Sequence, residues 1–145
     1  MEEWQFPRCL ELIAQPCELV VKIIIPCIRA IVARELVLNH NMTQVKVAEI
    51  LGVTQGAVSQ YVRGYRGSSV DLEKVPEIRK LLDKLINGLA TGSLREDEAM
   101  KLVCDICDTA RKKGVFCRKP IAKKYMRIAD LICYRYMPEP ETKSV

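Results

Sequence analysis

Histidine is nearly absent from this chain: His40 is the only one in 145 residues. Aromatic residues make up 6%, with one Trp and two Phe, so the core has to be aliphatic. His40 stands in the loop-like step Asn39-His40-Asn41 with no evident carboxylate partner in sequence. Neither a phosphate-cradling glycine loop nor a G-x-S-x-G elbow occurs. These lacks argue against an enzyme. Long apolar runs are missing too. The longest, Leu19 to Ile28, is interrupted by Lys22 and Pro26 and falls far short of the roughly 18–20 residues that span a bilayer. No charged-then-apolar leader opens the chain, so secretion is not expected. The seven cysteines are an odd number and too few for a disulfide scaffold, which runs to about 8–10%. A reduced, cytoplasmic protein is expected, and its thiols then need another explanation.

What is present reads as globular. Apolar residues make up 49% and charged residues 28%, and the length suits about one domain of roughly 100–200 residues able to fold without staples. The net charge of +5 is unevenly spread. Met1 to Val70 holds seven basic and six acidic residues, and Asp71 to Val145 sixteen and twelve. Arg111, Lys112, Lys113, Arg118, Lys119, Lys123, Lys124 and Arg127 lie between Asp108 and Asp130 with no acid among them. Such a block is either a patch for phosphates and acidic surfaces or a solvated helix face.

Periodicity predicts an all-α chain. The segment CELVVKIII fits a strand or a helix kinked at Pro26, with helix preferred; from Pro26 onward Ile28, Ile31, Val32 and Leu36 recur at helical spacing. Thr43 is positioned to cap a helix ending near Leu51, Gly52 to stop it, and Thr54 to cap a second helix to about Arg63. GYRGSS reads as a loop. Val75, Ile78, Leu82, Leu85 and Leu89 then form a narrow apolar stripe, too short to assign to a coiled coil. It serves equally to pack within the subunit or to pair two subunits. A helix from about Arg95 to Arg111 has Ser93 and Glu96 as a possible capping pair and Gly114 as its stop. A last helix, about Ile121 to Tyr136, carries Ile128, Leu131 and Ile132 inward, and a proline-rich tail follows from Pro138. The expected division is an N-terminal domain over 1–70, a helical region over 71–137 and a tail over 138–145.

The segment Thr43 to Gly64, TQVKVAEILGVTQGAVSQYVRG, meets every requirement of two short helices crossing at roughly 90–120°. Ala48 is the small residue where backbones approach and Gly52 makes the turn. Val47, Leu51, Val53, Val58 and Tyr61 take the buried positions. The segment resembles the lambda-repressor-like (Cro/C1, or XRE) DNA-binding domain. Its wider frame, PCELVVKIIIPCIRAIVARELV…LGVTQGAVSQYVRGYRG, resembles a family of predicted archaeal transcriptional regulators with a cysteine-bearing C-terminal region. The resemblance implies that the second helix lies in the major groove of double-stranded DNA. Gln55, Ser59 and Gln60 would then face base edges, with Thr54 at the helix start. It implies that Gln44 contacts phosphate and buttresses Gln55. Thr43, Arg63 and Arg66 are candidate phosphate contacts. Gly56 departs from a good helix former; it either admits close backbone approach or only weakens the helix. The bland alternative is an interaction module that binds no DNA.

Cys104, Cys107 and Cys117 form C-x2-C-x9-C, a pattern that brings soft thiolates within reach of one ion. Cys17 is the first choice for a fourth ligand, followed by Cys133, Cys9 and His40. By spacing alone three readings stay open: a metal or cluster, core cysteines, or a redox disulfide. Cys27 and Cys133 look like core residues. The family resemblance favours a metal or cluster. With no histidine near Cys117, an iron–sulfur cluster is preferred to zinc. The resulting expectation is a homodimeric regulator on a palindromic operator, its DNA binding modulated through the cysteines. The competing expectation is an adaptor that docks on the transcription machinery, with core cysteines and auxiliary DNA binding.

Overall fold

Pro26 sets the first element. It has no N–H to donate and its ring crowds the carbonyl four residues back, and the chain meets it with a wider π-type turn, Val20–Ile24. The α-helix α1, Ile25–Leu38, follows with the proline in its first turn, so the ambiguous apolar segment is helical as preferred. The computed structural model describes residues 20–68 and 70–115. Four further helices complete it: α2 (Gln44–Leu51), α3 (Gln55–Val62), α4 (Pro76–Thr91) and α5 (Glu96–Lys112). A 3-10 turn, Leu72–Lys74, precedes α4. Among the described residues there is no strand, and no helix is long and apolar enough to cross a membrane. The fold is all-α.

α1 is the hub. It buries Cys27, Ile28, Ala30, Ile31, Val32, Ala33 and Leu36, too many for a one-sided stripe. Accordingly α2, α3 and α4 all pack on it. The chain leaves α1 through Asn41, which takes a left-handed conformation at φ 53 as asparagine tolerates, and Met42 donates its N–H to the Leu36 carbonyl at 3.0 Å. Val47 and Val58, fully buried, and Tyr61, 3% exposed, close the α2–α3 pair onto α1.

The stripe on α4 turns inward within the same chain. Ile78, Leu82 and Leu85 are buried, joined by Ile86, while Val75 and Leu89 pack at the margin. The faces that cover it belong to α1 and α5, and Ile106, Cys107 and Ala110 of α5 are buried with it. Arg79 links three elements here. Its guanidinium meets Glu73 at 2.8 Å, Asp83 at 3.0 Å and Glu35 of α1 at 3.6 Å. At the same end of α4, Lys113 pairs with Glu77 at 2.9 Å and holds the Glu77 carboxyl below its ordinary range, mainly through that hydrogen bond.

The start of α5 corrects one expectation. Ser93 does not cap it and Glu96 does not complete a capping box. The cap position is Arg95, whose N–H is taken by the Glu98 carboxylate at 3.0 Å. Ser93 instead shares a hydrogen bond with Thr91 at 2.8 Å, and Leu94 donates back to the Gly88 carbonyl. The turn therefore consumes the residues that would otherwise start the helix.

Candidate nucleic-acid interface

Both short helices are opened by threonine in extended backbone. Thr43 Oγ1 accepts the Lys46 N–H at 3.2 Å, and Thr54 Oγ1 accepts the Ala57 N–H at 3.1 Å. A hydroxyl that accepts still has its own hydrogen to donate, and both threonines are exposed. Gly52 ends α2 at φ 64, a left-handed geometry that suits glycine. Val53 then donates to the Ala48 carbonyl at 3.1 Å, closing the turn between the helices.

α3 has two chemically distinct sides. Ala57, Val58 and Tyr61 are buried. Gln55, Gly56, Gln60 and Arg63 are exposed and Ser59 is half-buried. Gln55 Nε2 donates to Gln44 Oε1 at 2.8 Å, so the two glutamines proposed to cooperate are joined, as the resemblance implied. Gln55 keeps its carbonyl oxygen and a second N–H, an acceptor beside a donor. Gln44 keeps its own amide N–H groups. Beyond α3 the Arg66 guanidinium sits over the Tyr61 ring, 5.9 Å from its centre, and remains exposed.

Tyr65 and Val45 were not singled out from the sequence. They flank the named residues and are 79% and 59% exposed. Tyr65 donates its backbone N–H to the Gln60 carbonyl at 3.0 Å, which ties the chain after α3 back to the helix. The available signal was an aromatic between two arginines in Arg63-Gly64-Tyr65-Arg66, and a loop assignment hid it.

The cysteine motif is described in part. Cys104 is exposed on α5 and Cys107, one turn later, is buried. Burial pushes the Cys107 thiol up, and the charge of Arg111 works in the opposite direction. The Arg111 Nε is itself buried without a hydrogen-bond partner among the described residues. Cys27 is buried in the core as expected. His40 is exposed in the α1–α2 connection. Cys9, Cys17, Cys117 and Cys133, the helix over 121–136 and the tail lie outside the described residues, as do Arg118, Lys119, Lys123, Lys124 and Arg127. Among the described residues no three His, Cys, Asp or Glu side chains converge on a metal position. Of the basic block, Lys112 is paired with Asp108 at 2.8 Å and Lys113 with Glu77, so these two charges are partly balanced within the fold.

Residues 34–89 match the model of the helix-turn-helix family. The match begins inside α1, takes in α2 and α3, and runs to Leu89 of α4. No curated protein and no solved structure matches the chain.

Proposed function

We propose that this chain is a sequence-specific DNA-binding transcriptional regulator acting as a homodimer on a palindromic operator. α3 enters the major groove with Gln55, Ser59 and Gln60 toward base edges. Thr43, Gln44, Thr54, Arg63 and Arg66 face the phosphates on either side. The observation that carries this reading is the Gln55–Gln44 hydrogen bond. It holds an exposed amide in one orientation at the start of α3, with an acceptor and a donor side by side, the pattern that pairs bidentately with adenine. Two such heads in a dimer read half-sites about one DNA turn apart.

The regulatory half of the proposal is a cysteine-ligated iron–sulfur cluster, with zinc as the alternative ion. Cys104 and Cys107 are the described thiols that would hold it, and Cys117 and Cys17 complete the set. The donor chemistry fits. One thiol is open to solvent and the other is buried within the influence of the Arg111 charge, whose Nε is buried with no hydrogen-bond partner among the described residues. When bound, the cluster supplies a redox-sensitive, net anionic tie. Through Cys107, Ile106 and Ala110, α5 passes the state of that tie to α4 and onward to the spacing of the two heads. Regulation requires the two states to differ in DNA affinity.

The test uses full-length protein purified without oxygen. Selection from a random duplex library should return one palindromic site, and Gln55→Ala with Gln60→Ala should weaken that site several-fold more than bulk DNA. Equal losses, or no selected site, would overturn the groove assignment. Metal analysis with an absorption spectrum decides the ligand. Brown protein with stoichiometric iron supports the cluster, colourless protein with stoichiometric zinc supports the ion, and neither metal leaves core thiols.

A further inference from the structure

The chain has seven glycines, and the fold accounts for six. Gly52, Gly64, Gly67, Gly92 and Gly114 have positive φ, where a side chain is strained. Gly88 lies against Leu94, whose Cβ would be 2.8 Å from an added methyl. Gly56 is the exception. Its backbone suits any residue, and a Cβ there would meet only Thr54 Oγ1, at 4.0 Å. It is exposed in the first turn of α3, where glycine weakens a helix relative to alanine. Among the described residues nothing in the fold requires a glycine here.

Its neighbours supply a reason from outside. Gln55, immediately before it, is held by Gln44, and Thr54 is engaged in capping. The two side chains that precede Gly56 are thus held, and beside them the exposed helix backbone itself is the surface. We propose that Gly56 is a specificity-determining residue. Its missing side chain lets the backbone of α3 approach the edge of the base pair beside the one that Gln55 addresses. A gap of this size takes an apolar group such as the thymine methyl, the one apolar feature of the major-groove edge. This inference rests on the DNA-binding reading above.

The test is Gly56→Ala in the full-length protein, with the duplex that the wild type selects from a random library as probe. The substitution should raise the melting temperature by about 2–4 °C, since alanine favours the helix. It should also lower affinity for the selected duplex at least tenfold, with binding to bulk DNA unchanged. A more stable protein that binds its site less well is an outcome that a purely structural role does not produce. Unchanged affinity for the selected duplex would overturn the inference and leave the DNA-binding reading standing. So would a lower melting temperature, which would assign Gly56 a role in folding. A wild type that selects no duplex would overturn both.

Discussion

Gln55 owes its orientation to Gln44, eleven positions earlier. An exposed hydrogen bond of this kind adds little to stability, about 0.5–1.5 kcal/mol at most; on the proposed function its value lies in having the amide already placed when DNA arrives. Gln55→Ala should cost about 1–3 kcal/mol of discrimination between the correct and a wrong base pair. Gln44→Ala should cost about 1 kcal/mol, through a freed Gln55 side chain and a lost phosphate contact. If the two act as a unit, the double variant loses less than the sum, by about 0.5 kcal/mol or more. Affinities of the four proteins for the selected duplex measure this directly, and additive losses would mean that the glutamines work independently. The capping threonines were legible in the sequence because capping follows from position at the start of a short helix, and the Gln44–Gln55 pairing was legible through the family resemblance. The orphaned Arg111 Nε was not, because burial of one nitrogen depends on packing that no local pattern encodes.

At the scale of elements, the short α3 depends on what holds the chain after it. Gly67, at φ 74, passes so close to α1 that an added methyl would overlap the Pro26 carbonyl and lie 2.6 Å from Ala30 Cβ. Gly64, at φ 77, faces open space. Both positions pay the left-handed penalty on substitution, and only Gly67 adds a clash. Gly64→Ala should therefore cost about 1 kcal/mol, and Gly67→Ala about 2–4 kcal/mol, counting strain and overpacking together. Denaturant unfolding of the two variants would check this, and equal costs would mean that the α1 contact yields freely. Element positions were largely readable from periodicity and caps. The reading failed at Ser93 and Glu96, where a sequence-perfect capping pair lost to a competing side-chain bond with Thr91. It also stopped short at α4. The spacing showed an apolar stripe, but only the fold shows that α1 and α5 of the same chain cover it. Arg79 and Glu35 meet at 3.6 Å across 44 positions of sequence, a separation at which charge pairing has no local signature.

For the molecule as a whole, phosphate contacts provide a count of how many heads engage DNA. Each phosphate neutralised by a cationic side chain steepens the dependence of log affinity on log salt by about 0.9. Arg66 is exposed and carries no acidic partner among the described residues, its guanidinium resting on the Tyr61 ring. One gene alters every copy of the chain, so removing Arg66 removes one contact from each head. In the proposed homodimer, Arg66→Ala should flatten the slope by about 1.8, and a single bound chain would lose only about 0.9. Lys113 is the internal comparison. Its pairing with Glu77 ties α4 to the residue after α5, outside the residues that match the helix-turn-helix family. Lys113→Ala should leave the slope unchanged while Arg66→Ala flattens it. Titrating binding to the selected duplex across salt concentrations separates the cases. A loss near 0.9 would remove the dimer from the proposal and leave the groove contact intact. A loss on Lys113→Ala equal to that on Arg66→Ala would move the DNA surface toward the basic C-terminal block.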